Sequence, residues 1–210
     1  MRIAILIFDR LTALDAVGPY EVLSRLPGAE LHFVAPERGL VRADTGALGL
    51  SADRALYEVS DPDLLLIPGG EGNRPLLDDD EVLEWVRAAH EGSTWTTSVC
   101  TGALVLGAAG ILTGKRATTH WAYLDDLRAL GAIAVRQRVV EDGKVMTAAG
   151  VSAGIDMALA LAARIAGDQA AQAIQLGIEY DPQPPFDAGT PEAAGAELTE
   201  LVRRSEGVAG

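Results

Sequence analysis

Ser93-Thr94-Trp95-Thr96-Thr97-Ser98-Val99-Cys100-Thr101-Gly102-Ala103-Leu104-Val105-Leu106-Gly107-Ala108-Ala109 changes character once, at its centre. Its first half is rich in β-branched and aromatic residues, which favour a strand. Its second half is rich in Ala and Leu, which favour a helix. A strand that runs straight into a helix is the repeating unit of an α/β fold. The junction falls on Cys100, at the carboxyl edge of the sheet and against the positive end of the following helix. Both conditions favour a thiolate. Cys100 is the sole cysteine of 210 residues. Composition alone would read it as a small buried apolar residue; its surroundings reverse that reading.

The pattern extends in both directions. Ile3 to Phe8 and Leu64-Leu65-Leu66-Ile67 are short continuous apolar runs, as expected of strands buried on both faces of a parallel sheet. Leu31 to Ala35 reads as another strand, and Leu40 to Ser51, with its glycines, as an irregular hairpin or bulged extension. Leu14 to Leu26 is helical in pattern, and Gly18-Pro19 sets its proper start at Pro19, a favoured first-turn position. Val82, Trp85, Val86 and Ala89 mark an amphipathic helix with acidic residues at its start. Beyond the Cys100 unit, Ala117 to His120 is expected to be a short strand, and Tyr123 to Leu130 a helix closed by Gly131. Asp142-Gly143 joins a hairpin of Arg138–Glu141 and Lys144–Thr147. Val151 to Ala166 is apolar nearly all round and should be a buried helix; Asp168 to Leu176 is one more. Asp181 to Phe186, with three prolines, is expected to be extended and packed back on the body, because Phe186 needs cover. From Pro191 a helix begins, capped by Thr190. The alternation predicts a three-layer α/β sandwich, a mostly parallel sheet with helices on both faces, forming one domain over residues 1–210.

Composition excludes several classes of function. With 49% hydrophobic and 22% charged residues the chain can build an ordinary globular core. A net charge of −13 argues against nucleic acid, which demands a basic footprint. One cysteine excludes an internal disulfide framework and fits a reducing cytoplasm. The N-terminal apolar run is too short for a signal peptide and lacks a small-residue cleavage site. Ile155 to Ala166 falls short of the roughly 20 residues that cross a bilayer. The expectation is a soluble cytoplasmic protein.

Ligands of open α/β sheets bind beyond the carboxyl ends of the strands. Three features converge there. Cys100, Thr101 and Gly102 open a helix whose N–H groups can stabilise an anion. Pro68-Gly69-Gly70-Glu71-Gly72 follows a buried strand, and its glycines make the Gly69–Gly70 backbone a second candidate oxyanion donor. Neither a Gly-x-Gly-x-x-Gly nor a Gly-Lys-Ser/Thr pattern occurs there, so it is not a phosphate loop. Asp15 stands among apolar neighbours just past the first strand. A carboxyl desolvated in that way has a raised pKa and can donate a proton near neutral pH; the alternative is a plain helix N-cap. His120, beside Trp121, is the strongest histidine for a site role, whereas His32 and His90 occupy ordinary strand and helix positions. No His, Cys and carboxylate set has metal spacing, so neither a metal nor another cofactor is expected.

Ile67-Pro68-Gly69-Gly70, Val99-Cys100-Thr101-Gly102-Ala103 and Ala117-Thr118-Thr119-His120-Trp121 together resemble the ThiJ/PfpI superfamily. Leu14-Asp15-x-x-Gly18-Pro19 and Glu179 to Asp187 narrow the likeness to its isonitrile hydratase branch. It runs from residue 1 to about residue 192. The resemblance implies a flavodoxin-like fold, Cys100 as nucleophile on a strained elbow, Asp15 as acid/base partner and Thr101 as a further active-site residue. The broader superfamily usually has glutamate where Asp15 stands, and histidine follows the cysteine in protease-like members. Thr101 in that place removes the basis for a Cys-His peptidase. The resemblance further implies a small-molecule substrate and a homodimer, with His120 in a binding role. Two other readings compete: a glyoxalase-like hydration of methylglyoxal, and a ligand or redox sensor akin to the N-terminal domain of AraC-type regulators. Those regulators continue into a basic helix-turn-helix region, whereas this sequence ends at Gly210 with its acidic balance.

Overall fold

A computed structural model describes residues 1–205; residues 206–210, part of the expected domain span, lie outside the described residues. The strands are β1 (Arg2–Leu6), β2 (Glu30–Ala35), β3 (Gly39–Arg42), β4 (Gly49–Ala52), β5 (Arg54–Ala55), β6 (Leu64–Ile67), β7 (Trp95–Val99), β8 (Arg116–Ala117), β9 (Ile133–Ala134), β10 (Val139–Asp142) and β11 (Val145–Ala148). The helices are α1 (Ala13–Leu23), α2 (Asp80–Gly92), α3 (Gly102–Ala108), α4 (Leu124–Ala129), α5 (Ala153–Ala166), α6 (Asp168–Gly177), α7 (Pro191–Ala194) and α8 (Ala196–Ser205).

Seven strands form the central sheet in the order β10-β11-β7-β6-β1-β2-β5. All its pairs are parallel except β10 with β11, the hairpin read from Asp142-Gly143. The helices α1, α5 and α6 pack together, as do α2 and α3, so the sheet lies between two helical layers in a flavodoxin-like sandwich. Ile3, Ile5, Leu6 and Leu64 to Ile67 are at most 1% exposed, which is why these runs carry no alternation. Burying each such side chain contributes about 1.5–3 kcal/mol. Among the described residues no helix is long and apolar enough to cross a membrane.

Four local expectations change. Helix α1 starts at Ala13 and takes Pro19 into its interior. The ring removes the N–H that would reach the Asp15 carbonyl, yet the helix continues through it. Residues Ala117 to His120 do not form one strand: β8 is Arg116–Ala117 and pairs with β9 outside the main sheet. Helix α5 is not buried all round, since Ala160 and Arg164 face solvent and one stripe, including Met157 and Leu161, faces the core. Phe186 is not covered by the body. It is 79% exposed, and every residue from Asp181 to Thr190 is exposed, because the prolines hold the segment extended with few N–H groups to bond it back.

Candidate active site

The chain passes from β7 into α3 through Cys100 and Thr101 alone. Cys100 has φ 56°, a left-handed conformation that costs a non-glycine residue roughly 1–2 kcal/mol. Hydrogen bonds from three neighbours hold it there. Its N–H is shared between the carbonyls of Ala148 (3.2 Å) and Ala149 (2.9 Å), and Thr119 Oγ1 donates to its carbonyl at 2.8 Å. Gly102 is required by close approach, because a Cβ there would overlap the carbonyls of Ile67 and Pro68 at the end of β6. Cys100 itself is 6% exposed and borders an open cavity of about 710 Å³.

Asp15 lies in the first turn of α1 and is fully buried. Its Oδ2 accepts the Gly69 N–H at 2.9 Å, while Oδ1 is buried with no partner of hydrogen-bond geometry. Burial pushes the carboxyl up to about 7, against the opposing pull of the Gly69 amide and of a side-chain interaction with Cys100. An acid poised near neutrality therefore stands beside the thiol.

The structure brings all six sequence-derived residues into one place. Cys100, Thr101, Gly70 and His120 line the cavity; Asp15 and Gly69 do not line it, and Asp15 meets the site through its side-chain interaction with Cys100. The glycine amides are the exception to the expected roles. The Gly69 N–H bonds Asp15 and the Gly70 N–H bonds Thr101 Oγ1 at 3.0 Å, so neither points a proton at a ligand. They orient the acid and the threonine hydroxyl instead. The N–H groups of Thr101 and Gly102 have no hydrogen-bond partner among the described residues. They are the backbone donors left at the elbow, as the opening of a helix provides.

His120 packs against Trp121 and Tyr123, with ring centroids 5.2 and 5.9 Å away. Burial lowers its pKa, so the ring is neutral at pH 7. Nδ1 accepts the Ala122 N–H at 3.4 Å, which leaves the ring proton on Nε2. Sequence reasoning missed Asn73, which is 2% exposed and donates through Nδ2 to the Thr101 carbonyl at 2.7 Å. Its one available signal was its place directly after the glycine turn. Thr119 was visible only as a neighbour of His120. At the mouth Arg10 pairs with Glu71, and Thr12 Oγ1 donates to Asp44 Oδ2 at 3.2 Å.

The sequence profile described as the DJ-1/PfpI family matches residues 1–164. A Pseudomonas putida protein named isonitrile hydratase is 45% identical over 204 residues, 97% of this chain and 89% of its own. The HTH-type transcriptional regulator CdhR of Pseudomonas aeruginosa is 32% identical over 170 residues, 78% of this chain but 49% of the regulator. The crystal structure of a ThiJ/PfpI family protein from Pseudomonas syringae matches with a TM-score of 0.94 at 36% identity, covering 99% of this chain and 86% of that one.

Proposed function

The chain belongs to the DJ-1/PfpI family, and from that premise we propose that it is an enzyme hydrating an isonitrile to an N-substituted formamide. The observation that carries this reading is the near full-length likeness to the Pseudomonas putida isonitrile hydratase, 45% over 97% of the chain.

An isonitrile carbon becomes electrophilic as it is protonated, so the site needs a soft nucleophile beside an acid. Cys100 supplies the thiolate and Asp15 the proton. The sulfur bonds the terminal carbon while the Asp15 proton passes to that carbon, giving a thioimidate, R–N=CH–S–Cys100. Asp15, now a carboxylate, takes a proton from water as the oxygen adds to the same carbon. The C–S bond then breaks, the nitrogen gains the second proton, and R–NH–CHO leaves. Thr101, fixed by Gly70 and Asn73, and the neutral His120 bind around the reacting group.

Within this reading the protein is a cytoplasmic homodimeric lyase. Leu176 and Phe186, 81% and 79% exposed, support a second copy as their cover. Assaying purified protein on cyclohexyl isonitrile and on methylglyoxal tests the choice of substrate. Formamide without lactate supports hydration of the isonitrile; lactate without formamide replaces it with the glyoxalase-like reading.

A further inference from the structure

The cavity beside Cys100 has two unlike sides. One is polar, with Arg10 and Asp44 on loops tied together by hydrogen bonds from Arg10 N–H to the Arg42 carbonyl and from Asp44 N–H to the Leu11 carbonyl. The other comes from the Pro75–Asp78 turn and α4, each packed on α3; it presents Leu77, Leu104, Ala129 and Leu130, with the charged Arg74 and Asp126 among them.

Cys100 and Leu104 both line the cavity. Leu104 stands one turn beyond Thr101 on α3, its N–H bonded to the Thr101 carbonyl at 3.0 Å. A further turn on, Gly107 has no side chain, and Leu130 packs into that space, 2.9 Å from where a Cβ would stand. The strip then runs outward to Ala129, which is exposed. The cavity, about 710 Å³, falls in the range that takes a drug-sized ligand, whereas the isonitrile group is only two atoms. The substituent on nitrogen must therefore supply the fit. A linear R–N≡C group attacked at carbon directs that substituent away from sulfur.

Resting on the hydratase reading, we infer that the preferred substrates are isonitriles whose nitrogen carries an extended apolar chain, seated along Leu77, Leu104 and Leu130 and longer than a single ring. Affinity then grows with the apolar area removed from water.

The test is a series of n-alkyl isonitriles from butyl to decyl, read as kcat/KM for formamide release. The expected result is a rise of up to about fourfold per methylene across the series. The variant Ala129→Trp, at an exposed position where folding is not at stake, narrows the outer end of the strip and should flatten the upper part of that rise. Circular dichroism checks that the variant is folded. Formamide released at equal efficiency from every chain length overturns the inference and leaves hydration standing, as does an unchanged slope in folded Ala129→Trp. Release of formamide from no member of the series overturns both.

Discussion

The Gly69 N–H donates to Asp15 Oδ2 at 2.9 Å, joining residues 54 positions apart. A Cβ on Gly69 would stand 2.6 Å from Thr101 Oγ1 and 3.0 Å from the same Asp15 oxygen. One hydrogen atom at this position thus lets the acid and the elbow close on each other. Gly69→Ala is expected to push them apart, lowering kcat/KM by about ten- to a hundredfold. The melting temperature should fall by roughly 3–10 °C. Kinetics and thermal denaturation on the same preparation check both.

Asp15 makes stability depend on pH in an unusual direction. Its carboxyl is raised from 3.8 to about 7, so between those values the unfolded chain has lost a proton that the folded chain keeps. Stability from this group is unaffected below about pH 4, falls as pH rises toward 7, and stays reduced above it. Asp15→Asn removes the titration while keeping an acceptor for the Gly69 N–H. The variant should be more stable than the parent at pH 8, by at most about 4 kcal/mol, with the gain vanishing near pH 4. Urea melts at the two pH values measure this. The same variant should lose turnover by roughly a hundredfold or more, since the acid is gone.

Thr119 holds the elbow from behind through its bond to the Cys100 carbonyl. Thr119→Val keeps the shape and removes the shorter of the two bonds to this carbonyl, leaving it the Ala103 N–H at 3.4 Å. The expected loss is about 0.5–1.5 kcal/mol, with Thr119→Ser restoring most of it. Denaturant titration of the three proteins decides.

The left-handed backbone of Cys100 predicts an order between two inactive variants. Cys100→Gly relieves the strain and Cys100→Ala keeps it. The glycine protein should therefore be as stable as the alanine protein or more so, by up to about 1 kcal/mol once glycine's larger unfolded-state entropy is counted. Calorimetry of the two variants reads the difference.

The strands of the sheet core were legible because burial on both faces writes itself as unbroken apolar runs, as in Ile3 to Ile7 and Leu64 to Ile67. The elbow was legible because residue preference switches at Cys100. Contacts made across the sequence were not. The glycine amides looked like donors to a ligand, and their partners, 54 and 31 residues away, could not be read from a tight turn. Asn73 was hidden for the same reason, since its bond to Thr101 exists only once β6 and β7 lie side by side. Pro19 misled because its usual place in the first turn is a local preference that tertiary packing overrode. Phe186 misled because size suggested cover by its own chain, whereas the prolines beside it carry the segment away.

In the proposed reaction Cys100 forms a thioimidate with the isonitrile carbon. Intact-protein mass spectrometry after rapid mixing with cyclohexyl isonitrile and acid quench tests it directly. A transient adduct of one substrate mass, mapped to Cys100, is expected, decaying as the formamide forms and absent in Cys100→Ala along with all turnover. Formamide released at the parental rate by Cys100→Ala would contradict it.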